Sequence, residues 1–267
     1  MTQALIALLF GLLIGSFLNV CIHRWPRGRS VVRPRSHCVR CRKMIPWYDN
    51  IPLVSYVVLG GRCRYCGRPI SLRYPAVELI TGLLFFYFVH RLGLTADAAK
   101  FCVFSAALVA LASTDLEKRL LPDELTLGGL AVGLVFAWFV PVASEADSTA
   151  GIIFYLAGLH VNSRVESVAE ALLAAGVLAG ILWGAGKIYF KLRGREGLGF
   201  GDVKLVAMIG SFLGFRLALA SMAWGGVAGS VIGLIYIWAT KKNASTFELP
   251  YGTFLAATAL ATAILAA

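Results

Sequence analysis

Hydrophobic positions in this chain fall in long unbroken runs, not in the alternation of a half-buried strand or the one-sided stripe of an amphipathic helix. Eight runs stand out: Gln3 to Cys21, Pro75 to His90, Lys100 to Thr114, Glu124 to Val140, Val168 to Phe190, Val203 to Phe215, Leu217 to Ala239 and Pro250 to Ala266. A helix needs about 20 apolar residues to cross the hydrocarbon layer, so the pattern predicts about eight transmembrane helices and an all-α fold. Gly151 to Leu159 is too short to span, and the pattern leaves the structure of 141–167 open. Composition agrees. The 267 residues are 58% hydrophobic and 15% charged, against about 45–50% and about 25% for a soluble domain. Collagen, coiled coil and disorder are excluded, and a polytopic membrane protein in contact with a lipid bilayer is the class that remains. The one sizeable polar piece separates the first two runs. The chain therefore divides into a first helix (1–22), a polar segment (23–74) and a membrane domain of about seven helices (75–267).

Charge orients these runs. The first run has no basic residue before it and a basic stretch, Arg24 to Arg35, after it, the reverse of a cleaved secretory signal. Short cytoplasmic loops carry the Lys/Arg excess, which places Arg24 to Arg73 inside the cell. Alternating sides from there puts 21 of the 25 basic residues inside, including Lys118, Arg119, Lys241 and Lys242. Asp97, Glu145, Asp147, Glu166 and Glu170 then fall outside or at outer helix ends. The net charge of +11 follows from this topology and does not call for nucleic acid as a partner.

Glycines recur four apart at Gly11 and Gly15, at Gly176, Gly180 and Gly184, at Gly210 and Gly214, and at Gly225, Gly229 and Gly233. Small faces of this kind let helices pack closely in lipid. In the polar segment, Cys38-Val39-Arg40-Cys41 is followed after 21 residues by Cys63-Arg64-Tyr65-Cys66. Two such pairs can hold a tetrahedral Zn²⁺. Gly67 permits the positive φ that a turn of this sort needs, and Arg40, Arg42, Arg62 and Arg64 offset the charge of four thiolates. A pair of disulfides is the alternative, which a reducing cytoplasm disfavours. Four cysteines leave no open coordination position, so the metal is expected to be structural. His37 is read as a loop residue, and Cys21 and Cys102 as small buried hydrophobes.

Two acids border the membrane runs. Asp115 ends the third in Ala112-Ser113-Thr114-Asp115, and Asp202 opens the sixth in Gly199-Phe200-Gly201-Asp202-Val203-Lys204. Acids bordering the bilayer are functional candidates. If their helices are neighbours, the two carboxylates can share one proton and one water, which is the apparatus of aspartic proteolysis. Gly199 and Gly201 would let a substrate strand approach the backbone. On spacing alone the alternative stays open: Asp202 and Asp123 are each good helix N-caps. The Gly194 to Gly201 stretch lacks the strand, the Lys-Ser/Thr pair and the glycine spacing of a phosphate loop.

The combination resembles a known family. Gly15-Ser16-Phe17-Leu18-Asn19-Val20, the two cysteine pairs framing Trp47-Tyr48-Asp49-Asn50-Ile51-Pro52, and Arg73-Tyr74-Pro75-Ala76-Val77-Glu78 are similar to the amino-terminal half of type IV prepilin peptidases. Asp115 with Leu121-Pro122-Asp123, the Gly199 to Lys204 motif, and Pro250-Tyr251-Gly252-Thr253-Phe254 are similar to the catalytic half. The resemblance implies an inner-membrane aspartic protease that removes the basic leader of prepilins, or of pseudopilins of type II secretion, after a glycine on the cytoplasmic side. It implies N-methylation of the new amino terminus from S-adenosylmethionine. Asp115 and Asp202 map onto the catalytic pair, with Gly199, Gly201 and Lys204 as support of the catalytic loop. For methyl transfer Glu78 is the nominated group; a helix-start carboxylate is its alternative. Cys21-Ile22-His23 and Thr253 depart from the family pattern and are expected not to touch the chemistry. Two further readings share some features: a presenilin-type intramembrane protease, and an ion-coupled transporter with a zinc lobe. Oligomeric state is not readable.

Overall fold

The structure is a computed structural model that describes all residues except 145–146, 195–196, 198 and 241–249. Glu145, Arg195, Lys241 and Lys242, which enter the charge count above, lie outside the described residues. The regular elements among the described residues are all helices, and the only β pairings there are the isolated bridges His37 to Met44 and Arg62 to Pro69. Two compact units make up the chain, Met1–Ala110 with Ala267, and Leu111–Ala266.

The first unit holds α1 (Thr2–Arg24), the short α2 (Val54–Val58), α3 (Arg73–Leu92) and most of α4 (Ala96–Lys118). α3 lies along α1. The predicted small face forms this seam: a Cβ on Gly15 would stand 2.7 Å from the Glu78 Cα, and one on Gly11 would stand 2.9 Å from the Gly82 Cα. Any larger side chain would push the helices apart. The other faces of α1 expose Leu5, Ile6, Leu9 and Leu13. A water-soluble molecule would not leave such a patch uncovered, whereas lipid covers it without cost.

The second unit contains the last turns of α4 with α5 (Asp123–Phe139), α6 (Thr149–Leu156), α7 (Ser163–Arg193), α8 (Phe200–Thr240) and α9 (Tyr251–Ala266). α8 is its centre and packs against α5, α7 and α9. The sixth and seventh predicted runs are two stretches of α8 that meet at Gly214, whose φ of 75° and ψ of 178° break the helix. That left-handed φ is open to glycine and strained for other residues. The break frees backbone donors, and a buried acid takes one of them. Glu170 of α7 accepts the Phe215 N–H at 2.8 Å and, with its other oxygen, the Ala150 N–H at 2.8 Å at the start of α6. Each is a helix-start donor with no partner inside its own helix.

Gly210 meets the α7 backbone, with a would-be Cβ 2.7 Å from the Ala175 nitrogen, and Gly225 faces Leu255 of α9. Gly176, Gly180 and Gly184 correct the packing expectation. No described atom lies within 4 Å of where their Cβ atoms would sit, because no described helix covers that face of α7. Five helices are long and apolar enough to cross a membrane: α1 with the turn after it, α3, α4, α7 and α8. α9 is a shorter apolar helix, and α6, within 141–167, has only eight residues. The chain is an all-α integral membrane protein.

Candidate active site and metal centre

Asp115 and Asp202 both belong to the second unit. α4 ends at Lys118, where Arg119 turns the chain with a φ of 51°, so Asp115 sits in the last turn. Asp202 is the third residue of α8, and its side chain accepts a hydrogen bond from the backbone of Gly199. This is the position of the acid in a capping box, not of the N-cap itself. The capping alternative is thus partly realised. It leaves one carboxylate oxygen to account for.

The start of α9 accounts for it. A Cβ on Gly252 would lie 3.2 Å from Asp115 Oδ2 and 3.2 Å from Asp202 Oδ1. The two oxygens are therefore no more than twice that distance apart; no side chain of Gly252 stands between them, and Leu121 Cδ1 closes one side at 3.0 Å from the same point. Asp115 is buried and Asp202 partly exposed. The next residue orients the first acid: Thr253 donates to Asp115 Oδ2 from its backbone N–H at 2.6 Å and from its hydroxyl at 2.8 Å. This corrects the expectation that Thr253 stands clear of the chemistry. Its N–H belongs to the first turn of α9, where it also meets the Pro250 carbonyl at 3.2 Å, and the shorter bond goes to Asp115.

The supporting residues divide. The space beside Gly199 is empty apart from Asp202 Oδ2 at 3.4 Å from its would-be Cβ, whereas Gly201 packs on Leu121, which would stand 3.2 Å away. For Gly201 the small size serves helix packing, not the approach of a substrate strand. Lys204 reaches Asp123 Oδ1 at 2.5 Å. Asp123 is not an N-cap: Pro122 holds that position of α5 without a side-chain bond. Asp123 is instead the anion that fixes Lys204.

In the first unit the two cysteine pairs form a matched pair of turns. Cys38 N–H donates to the Lys43 carbonyl at 3.0 Å and Arg42 N–H to the Cys38 carbonyl at 2.9 Å. Cys63 N–H to Arg68 and Gly67 N–H to Cys63, both 2.9 Å, repeat the pattern. Gly67 has the anticipated positive φ of 64°, and Arg42 takes the same conformation at 58°. All four cysteines are free thiols, which removes the disulfide alternative, and their sulfurs lie within 4.8 Å of one another. Cys38 and Cys66 sulfurs are 3.9 Å apart. A tetrahedron with metal–sulfur bonds of about 2.3 Å has edges of about 3.8 Å, so the donor set fits a metal ion. Backbone donors of Cys66 and Tyr65 hold the Cys63 thiol down to about 7, toward the thiolate a metal needs. His37 is outside the cluster and contacts the Arg35 carbonyl. Arg64 is taken up by Asp49, at 2.7 and 2.6 Å, and holds that carboxyl below its usual range.

Glu78 also lies in the first unit, buried on α3. It accepts the N–H of Leu53 at 2.9 Å and a hydrogen bond from Ser16. It is not the dipole-bound carboxylate of a helix start.

Residues 9–92 match the bacterial peptidase A24 N-terminal domain, and residues 102–234 match the type IV leader peptidase family. The chain belongs to this family. It is 38% identical over 239 residues to a prepilin leader peptidase/N-methyltransferase of Myxococcus xanthus, covering 90% of this chain and 64% of that protein. Relatives of the same name share 32% over 275 residues in Pseudomonas aeruginosa, covering 94% and 87%, and 38% over 229 residues in Klebsiella pneumoniae, covering 80% and 89%. No solved structure matches. The leader peptidase match contains Asp115 and Asp202 but ends before α9, so Gly252 and Thr253 lie beyond it. A motif-based reading of the site stops short of the residues that shape the space between the acids.

Proposed function

We propose that the chain is an aspartic endopeptidase that removes the basic leader of prepilins or pseudopilins after a glycine, and that it then N-methylates the new amino terminus. The observation that carries the first activity is the space beside Gly252, equidistant from an oxygen of Asp115 and one of Asp202. A water held there meets both carboxylates. One, ionised, takes a proton from the water as its oxygen attacks the scissile carbonyl; the other, protonated, donates a hydrogen bond to that carbonyl. The C–N bond then breaks and the leaving nitrogen takes up a proton. Thr253 holds Asp115 in the orientation this needs, and Lys204 with Asp123 steadies the start of α8.

The names of the relatives support the substrate class and the second activity. The charge pattern supports an inner-membrane protein with the cysteine segment and both aspartates on the cytoplasmic side. An apolar pilin helix seated in lipid would present its basic leader at that face. The four-cysteine centre is assigned a structural Zn²⁺, since a filled thiolate shell offers no site to substrate. S-adenosylmethionine is the methyl donor in this reading.

The test is incubation of the detergent-solubilised chain with a synthetic prepilin, with and without S-adenosylmethionine, followed by mass analysis of the product. The reading requires a cut after glycine and a single methyl on the new terminus only when donor is present. A cut within the apolar helix, or none, would refute it.

A further inference from the structure

Leu121 is a buried leucine in the turn between α4 and α5. It is 9% exposed, whereas Leu120 beside it is 44% exposed. Pro122, the N-cap of α5, disfavours helical backbone in the residue before it and so limits how Leu121 can move. Two glycines make room for its side chain, Gly201 and Gly252, each the second residue of its helix. A Cβ on Gly201 of α8 would stand 3.2 Å from the Leu121 Cβ and 3.3 Å from its Cδ1. A Cβ on Gly252 of α9 would stand 3.0 Å from the same Cδ1. The leucine is wedged between the starts of two helices.

That wedge reaches the acids. Leu121 Cδ1, Asp115 Oδ2 and Asp202 Oδ1 all lie within 3.2 Å of one point. One wall of the space between the carboxylates is therefore a methyl group. The other oxygen of Asp202 has different surroundings: Oδ2 faces Gly199, which borders open space. A carbonyl carbon attacked by a water held between the acids brings its own α carbon along, about 1.5 Å away, and any side chain begins one bond farther on. A packed methyl at that place leaves room for a hydrogen and meets anything larger. We propose that Leu121 is the specificity-determining residue that restricts the position before the scissile bond to glycine. This rests on the peptidase reading above and names the side chain behind its choice of substrate. The selection works by exclusion, because a larger residue must displace a leucine already held against two helices.

The test gives the full detergent-solubilised chain synthetic prepilins with glycine, alanine or valine before the cut, and reads kcat/KM and the cut site from product masses. Leu121→Ala should raise the alanine-to-glycine ratio of kcat/KM by about tenfold or more, since space lost by the enzyme is filled by the substrate. The valine-to-glycine ratio should rise with it. An unchanged ratio in a Leu121→Ala chain that still cuts the glycine prepilin would overturn the assignment. So would a relaxed choice of the residue after the cut with glycine still required before it. Should Leu121→Ala cut none of the three, Leu121→Val, which shortens the side chain by one carbon, decides: an unchanged ratio or no cleavage overturns the assignment. An unsubstituted chain that cuts none of these prepilins, or cuts them elsewhere, overturns the peptidase reading and this inference with it. One that cuts after glycine, with variants that keep its preference, overturns the role of the leucine alone.

Discussion

Asp115 in the second unit and Glu78 in the first are both buried acids on apolar helices, and their surroundings differ in kind. Asp115 has a second carboxylate across a gap that a glycine keeps open, and its Oδ2 is pinned by two donors from one residue of α9. Glu78 shares the cavity it lines with a second acid, Asp49, but that acid is taken up by Arg64, and the donors Glu78 itself meets are the Leu53 N–H and Ser16. Two acids that must share a proton suit the activation of water. The two buried acids thus differ in what stands opposite each carboxylate, not in burial alone.

The sharpest way to break this comparison is to neutralise the pair. Asp115→Asn or Asp202→Asn should lower prepilin cleavage by about 10³-fold or more, measured by mass analysis of the product, while S-adenosylmethionine still binds. Next is Gly252→Ala, which places a methyl group 3.2 Å from both carboxylate oxygens. It should slow cleavage by about 10²-fold in a chain that keeps its metal, by taking the place of the water. Replacing Cys38 and Cys63 by Ser should bring metal content near zero on elemental analysis. Thr253→Val removes the 2.8 Å hydroxyl bond but keeps the N–H. A loss of about 1 kcal/mol, or roughly fivefold in cleavage rate, is expected, with Thr253→Ser restoring the rate. Lys204→Gln is the mildest: its partner Asp123 is 58% exposed, so cleavage should drop by less than about threefold.

Much of this was legible along the chain. Long apolar runs identify membrane helices because lipid leaves no other way to satisfy a backbone. Paired cysteines announce a metal site because their spacing is the turn that holds it. Even the φ of Gly67 could be read in advance. The equivalent conformation at Arg42 could not, because only the matched hydrogen bonds of the two turns impose it. The sixth and seventh runs read as separate helices because Gly214 and Arg216 interrupt the pattern, and the structure bears this out: the two stretches of α8 are parted at Gly214, where Glu170 accepts the Phe215 N–H that opens the second. Thr253 and Gly252 were missed for a related reason. Their roles come from the start of α9 pointing its donors at the end of α4, a meeting of segments 138 residues apart. Local spacing carries no trace of it. A polar residue directly after a glycine at the start of an apolar helix was the one signal available.

The central claim is that Asp115 and Asp202 work as one hydrolytic unit. The most direct measurement is single-turnover cleavage of a synthetic prepilin by Asp115→Asn, Asp202→Asn and the double variant. The account predicts that each single substitution removes nearly all the rate and that the double is no slower than either single. Losses that multiply in the double variant, or a single variant cutting at close to the unsubstituted rate, would contradict it.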